Sequence, residues 1–316
     1  MAKLYYAKVN INSNIFDVYE KKITIPDIMK MIFDQLDDKR EYNKKEVNTF
    51  PDDQGETKTI EREETYNFSE LNKVENNNEK YITGRLVKRT PTFGEEFDSV
   101  SRTSKKVVHK NNSISTLFYF DLETEIITFY SRQKLGYNQF MEAFENLLDI
   151  CVDKIGFKVM LIKDPFSIKD RMKMLHKVNR IKSTIIPPNV NEEEIRALLE
   201  PKLQGMKHAN ITRETRILES HKRNEKGIDL NSSEVKETLE LNEAYSVFGY
   251  SKLEVDGESK DGTSLVYDSD ENSPYQTTIP DSTKENLEGF IVYVKRGIDA
   301  LLAKRTIDNL KKEVED

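Results

Sequence analysis

One cysteine, no tryptophan and four histidines leave this chain of 316 residues with few of the side chains on which metal centres and thiol chemistry draw. Cys151 has no partner for an internal disulfide, and inside the apolar run "FENLLDICVDKIGF" it reads as a small buried hydrophobe. A reducing compartment follows, and the cytoplasm is the expected location. His109, His176, His208 and His221 show no ligand spacing such as His-x-x-x-His, so no metal site is expected. Gly84, Gly94, Gly136 and Gly156 are isolated, which excludes the glycine-rich turns that cradle dinucleotides or phosphates, and no cofactor is implied. No Gly-x-Ser-x-Gly elbow occurs. No window approaches the ~18 uninterrupted apolar residues of a spanning helix, and "MAKLYYAKVNINSN" has no apolar leader core, so no membrane contact is expected.

What the sequence does hold is charge and aromatic bulk. Charged residues make up 33% against 36% hydrophobic, but 15 Phe and 14 Tyr bury large areas per side chain, enough for a sizeable core. The net charge of −7 is unevenly spread: residues 156–226 carry 16 Lys and Arg against nine acids, a surplus of seven that leaves −14 elsewhere. Such asymmetry points to a surface facing a polyanion, either nucleic acid or an acidic protein partner.

The pattern predicts an α+β (mixed α/β) protein. Strands are expected in "KLYYAKVNI" and "IFDVYE", then a helix in "IPDIMKMIFDQL" with Ile25, Ile28, Ile32 and Leu36 at helical spacing and Pro26 in its first turn. Residues 37–64 and 91–114 read as polar, mobile loops around the strands "TYNFSELNKV" and "KYITGRLVKRT". A hairpin follows in "STLFYFDLETEIITFYS". From Gly136 a βαβα middle feeds a common sheet: a helix with a wide apolar face from Tyr137 to Ile155, the strand "FKVMLI", a helix from Ser167 to Val178, and the strand "RIKSTII" ended by Pro187 and Pro188. Asn191 and Glu194 signal another helix start, and "SSEVKETLELNEAY" a further helix. Ser282 and Glu285 form a capping box for a long helix over 282–313. The chain divides into a β-rich part, 1–135, and a mixed part, 136–316, or forms one continuous domain.

Four places are candidates for function. In "GYSKLEVDGESKDGTSLVYDSD" the acids Asp256 and Glu258 invite a metal or nuclease reading, but the spacing of a calcium loop is absent, and Asp-Gly dipeptides between apolar runs make a hairpin. Asp121, Glu123 and Glu125 lie two apart, so an extended chain would gather them on one face as a carboxylate cluster. With Asp256 and Glu258, Asp121 and Glu123 are the candidates for a metal-dependent nuclease or phosphodiesterase, which needs acids converging on two metals ~4 Å apart. In "SIKDRMKMLHKVNRIKS" a helix would place Lys169, Lys173, His176, Lys177 and Arg180 opposite an apolar stripe, a face able to follow phosphates. Leu287, Ile291, Val294, Ile298 and Leu301, spaced four, three, four and three, form a seam for the chain's own sheet, a second copy or a partner protein.

The succession "YITGRLVKRT", "FYFDLETEIITFYS" and "GIDLNSSEVKETLELNEAYSVFGYSKLEVDGESKDGTSLVYDSDENSP" resembles a family of uncharacterised bacterial and mobile-element proteins of about this length. The resemblance supplies no catalytic residue. It implies a setting in phage–host conflict, as defence or its counter. The expected function is therefore that of a cytoplasmic binding protein in such conflict, contacting nucleic acid or an acidic partner through residues 169–180; a nuclease and a structural subunit of an assembly are the alternatives.

Overall fold

Strand β1 (Ala2–Ile11) divides the molecule, because its alternate side chains enter two different cores. Tyr5, Ala7, Val9 and Ile11 face one, Leu4 and Tyr6 the other. The computed structural model describes residues 1–51, 57–76, 79–109, 112–164, 174–189, 202–221, 223–246 and 250–315. A curled antiparallel sheet is built around β1 from β2 (Glu41–Pro51), β3 (Thr57–Asn76), β4 (Glu79–Arg89), β7 (Ser113–Asp121), β8 (Ile126–Tyr130), β9 (Phe157–Leu161) and β14 (Gln276–Ile279), in the order β14-β1-β8-β7-β4-β3-β2. One edge of β1 pairs with β8; the other is shared end to end, β14 taking Ala2 to Tyr5 and β9 taking Ala7 to Ile11.

The two faces of this sheet explain the continuous apolar runs of β7 and β8, which are buried on both sides. Phe118, Phe120, Ile127 and Phe129 lie under α2 (Ile25–Gln35) and α3 (Tyr137–Cys151). Leu117, Tyr119, Ile126 and Tyr130 lie under the terminal helix, Leu287–Glu315. Helix α2 has Pro26 in its first turn, as its sequence predicts, and opens with a capping box between Thr24 and Asp27. Cys151 ends α3 in the core, where burial pushes its thiol pKa up.

The terminal helix comes unusually close to β1 at Gly297. A Cβ there would run into the Tyr6 hydroxyl oxygen and stand 2.6 Å from Cζ, on a ring that is fully buried and hydrogen-bonded to Thr277. Gly297→Ala therefore lowers stability in urea unfolding by about 1 to 3 kcal/mol, despite the ~1 kcal/mol by which Ala favours a helix over Gly. An unchanged midpoint would show that Tyr6 yields at no cost.

A second antiparallel sheet contains β10 (Lys177–Ile185), β11 (Glu214–Glu219), β12 (Ser251–Glu258) and β13 (Ser264–Asp268), in the order β11-β10-β12-β13. The helix Ser233–Ser246 covers one face, burying Val178, Ile181, Leu253, Val255 and Tyr267. Met160 of β9, Ile185, Tyr245 and the helical residues 202–208 join the two sheets through a small core of their own.

Several expectations are corrected. "IFDVY" forms a short helix, α1 (Ile15–Tyr19), with Ile15 and Val18 turned inward, rather than a strand. Within the polar stretch 37–64, residues 41–51 and 57–64 are strand rather than loop: β2 pairs with β3 from Glu41↔Asn67 to Pro51↔Thr57. Within 91–114, β5 (Thr92–Asp98) and β6 (Thr103–His109) make a separate two-stranded ribbon. The middle does not feed a common sheet, since β9 joins the first and β10 the second. The long helix starts at Leu287 instead of 282: the Asn286 side chain accepts from the Gly289 amide at 2.8 Å, while Glu285 pairs with Arg85 at 3.0 Å and Arg132 at 3.4 Å. Among the described residues, no helix is long and apolar enough to cross a membrane.

Candidate functional site

The basic and acidic stretches singled out in the sequence meet one another. The β10–β12 register sets Lys177 opposite Glu258, Arg180 opposite Asp256 and Lys182 opposite Glu254, and each pair closes, at 3.3, 3.5 and 3.0 Å. Arg180 also reaches Glu219 at 3.0 Å, and Asn179 donates to Glu258 at 3.1 Å. Burial works against ionisation of Glu254, but Lys182 and Lys252 outweigh it and hold its pKa below the usual value. Half-buried and in contact with solvent, these pairs each contribute ~1 kcal/mol, but together they neutralise the face. The predicted helix does not run to Val178: residues 174–176 are not helical, Lys177 begins β10, and His176 is exposed with its amide donating to the Glu258 carbonyl. Lys169 and Lys173, like the helix start at Asn191 and Glu194, lie outside the described residues.

The acidic stretch is a hairpin, β12–β13, turning through Ser259–Thr263 with Gly262 at φ 82°. Glu258 ends the strand rather than sitting in the turn. Among the described residues no group of three His, Cys, Asp or Glu side chains is placed to hold a metal ion.

The seam of the terminal helix is used within the chain. Val294, Ile298 and Leu301 are buried with Phe290 against Leu4, Leu117, Tyr119 and Ile126, while Ile291 is half-buried and Leu287 is 37% exposed.

Asp121 and Glu123 have a different fate from Asp256 and Glu258. They line a pocket of about 280 Å³ between the β7–β8 turn, the start of β4 and the terminal helix; Asp256 and Glu258 take no part in it. The β4–β7 register, Tyr81↔Asp121 and Thr83↔Tyr119, brings Glu79 and Lys80 beside the turn, and Leu122 donates to the Lys80 carbonyl at 3.0 Å. Asp121 accepts from the amides of Glu123 and Thr124 at 2.9 and 3.3 Å, which closes the turn. Glu125, at φ 57°, leaves the expected carboxylate row: it is buried on the far side, paired with Lys8 at 3.1 Å and bonded by Asn189 at 2.7 Å. From the helix come Lys295, Ile298, Asp299 and Leu302.

The charges in this pocket do not cancel. Lys295 is committed to Glu79 at 2.5 Å and lies 5.1 Å from the centre of the Tyr81 ring. Lys80 is held by Glu75 at 2.8 Å. Asp121, Glu123 and Asp299 make no ion pair among the described residues. Tyr119, only 3% exposed, stacks on Tyr81 at 4.8 Å, and its hydroxyl makes no hydrogen bond among the described residues. Burial first, and then Asp121 and Glu79, push its pKa well above that of free tyrosine. The phenol therefore stays protonated, offering one donor and two acceptor lone pairs to whatever enters.

Asp121 and Glu123 were visible in the sequence; Tyr119, Glu79, Lys295 and Asp299 were not. The one signal available was Lys295 and Asp299 at i and i+4 beside the seam residue Ile298.

Fold and pocket together define an antiparallel α+β protein with an acid-lined pocket beneath its terminal helix. The chain belongs to the DUF4747 family, a domain of unknown function, whose model matches residues 3–295. No curated protein matches the chain.

Proposed function

We propose that this chain is a binding protein whose recognition site is the pocket between the β7–β8 turn and the terminal helix, and that the site takes a cationic group. The observation that carries this reading is the set of three carboxylates, Asp121, Glu123 and Asp299, left without an ion pair around a buried phenol that has no hydrogen bond among the described residues. Carboxylates on facing walls of a pocket, with no ion pair of their own, give it a negative potential that attracts a cation. Sites of this kind cost the free protein stability. The expected result is that Asp121→Asn and Asp299→Asn each raise the melting temperature of the free protein by about 1 °C, corresponding to about 0.5 kcal/mol. Cations that stabilise the native protein should no longer stabilise these variants. Variants that melt lower than the native chain, with cation response intact, sink the proposal.

Contact with nucleic acid through residues 156–226 rests on their surplus of positive charge. With Lys177, Arg180 and Lys182 in ion pairs, Lys169, Lys173 and His176 are what the stretch 169–180 has left to offer a phosphate. Gel shifts at low and moderate salt, with Lys169→Glu/Lys173→Glu as control, decide it, because phosphate binding weakens steeply with salt. A setting in phage–host conflict is a proposal supported by the family resemblance alone.

A further inference from the structure

Resting on the reading of the pocket as a cation site, we propose that its ligand is an elongated organic dication, two ammonium groups carried on an aliphatic stem, as in a diamine or in neighbouring lysine side chains of a peptide. Three observations separate this class from a metal ion. The unpaired acids do not converge: Asp121 and Glu123 come from the hairpin turn and Asp299 from the terminal helix, and no three described carboxylates are placed around one ion. A volume of about 280 Å³ has room for an aliphatic stem with an ammonium group at each end and exceeds what one metal ion stripped of its water shell would fill. Finally, Ile298, Leu302 and the Tyr119 ring form an apolar wall, which a hydrated metal ion would not use and a methylene chain would.

The chain itself supplies a precedent in the same cavity. Lys295 is an alkylammonium group that approaches the Tyr81 ring and ends on Glu79, aromatic face and carboxylate together. A second such group entering from solvent meets the same chemistry at Tyr119, with Asp121 and Asp299 as counter-charges. An ammonium has three donors and no acceptor, so the Tyr119 oxygen and the two carboxylates suit it. Two charges on one stem use acids on both walls, where a single amine uses one.

The test is calorimetric titration of the full chain at low salt with butane-1,4-diamine, 1-butylamine, magnesium ion and a Lys-Gly-Lys peptide, repeated on Asp121→Asn/Asp299→Asn after its folding is checked by circular dichroism. The expected result is diamine binding about tenfold or more tighter than butylamine, equivalent to ~1.4 kcal/mol, and its loss in the double variant. Tighter binding of the peptide than of the diamine supports the same ammonium chemistry and assigns its source to a partner protein. Butylamine binding as tightly as the diamine overturns the dication. Magnesium bound, with the diamine ignored and the binding lost in the variant, overturns the ligand class while the cation pocket stands. No binding of any probe, or diamine binding that survives in the double variant, overturns both.

Discussion

Phe144→Ala is expected to lower the unfolding free energy by about 3 to 5 kcal/mol, the range for deleting a buried phenyl ring and leaving a cavity. Phe144 is fully buried on the sheet-facing side of α3, and four rings surround it: Phe68 at 5.0 Å, Phe118 at 5.2 Å, Phe140 at 5.6 Å and Phe120 at 6.0 Å. Three of these neighbours stand on strands, in β3 and β7, so the cavity cannot close by a side-chain rotation without moving backbone. Phe144→Leu refills much of the volume and should recover about half of the loss. Urea unfolding followed by circular dichroism measures both, and a loss below about 1 kcal/mol for the alanine variant would mean that the aromatic cluster is not the main support of α3.

Asp270→Asn should cost about as much, roughly 3 to 5 kcal/mol, for a different reason. Lys163, just after β9, has a fully buried side chain whose ammonium donates to the Leu161 carbonyl at 2.7 Å and pairs with Asp270. Asp270 also faces Lys252 of β12 at 3.4 Å, so one carboxylate ties the first sheet to the second. Burial opposes its ionisation, but Lys163 and Lys252 outweigh burial and hold its pKa below the ordinary aspartate value. With the folded pKa depressed, this contribution is fully present above the unfolded pKa of about 3.9 and is lost as pH falls through the folded value. The amide leaves an ammonium buried without a counter-charge, whereas Lys163→Met/Asp270→Leu removes both charges and should recover most of the stability. The test is the pH profile: Asp270→Asn should be less stable than the native chain at pH 7 and lose less on going to pH 3. Parallel profiles would show that the pair is not ionised as described.

The elements that were legible in the sequence are those whose burial follows a simple period. β1, the β7–β8 hairpin, α2, α3 and the β12–β13 hairpin all place apolar residues at strand or helix spacing, and tertiary structure agrees with local preference. The polar ribbons were illegible because their cross-strand partners are charged: Lys45 stands opposite Glu63, Glu95 opposite Lys106 and Glu96 opposite Lys105. Such pairing has meaning only once the register is known. The same is true of residues 177–182, whose surplus of charge looked like a phosphate-facing surface until the register set acids of β12 across from it. The five residues Ile15–Tyr19 are too few for a helical period to stand out from a cluster of β-formers. The pocket was half visible, in Asp121 and Glu123, because its other walls come from residues 79–80 and 295–302, far away along the chain.

The divided edge of β1 has a consequence for how the chain reaches its native state. Ala2 pairs with Ile279 and Leu4 with Thr277, contacts whose sequence separation spans most of the molecule. Closing loops of that length has to precede the reward of the ladder, which slows folding toward the millisecond-to-second range of proteins dominated by distant contacts. During synthesis β1 emerges long before β14, so this ladder is among the last to be completed. Until residues 276–279 arrive, the N-terminal half of one β1 edge offers unpaired amides and carbonyls beside Leu4 and Tyr6, a template on which another nascent chain can add a strand.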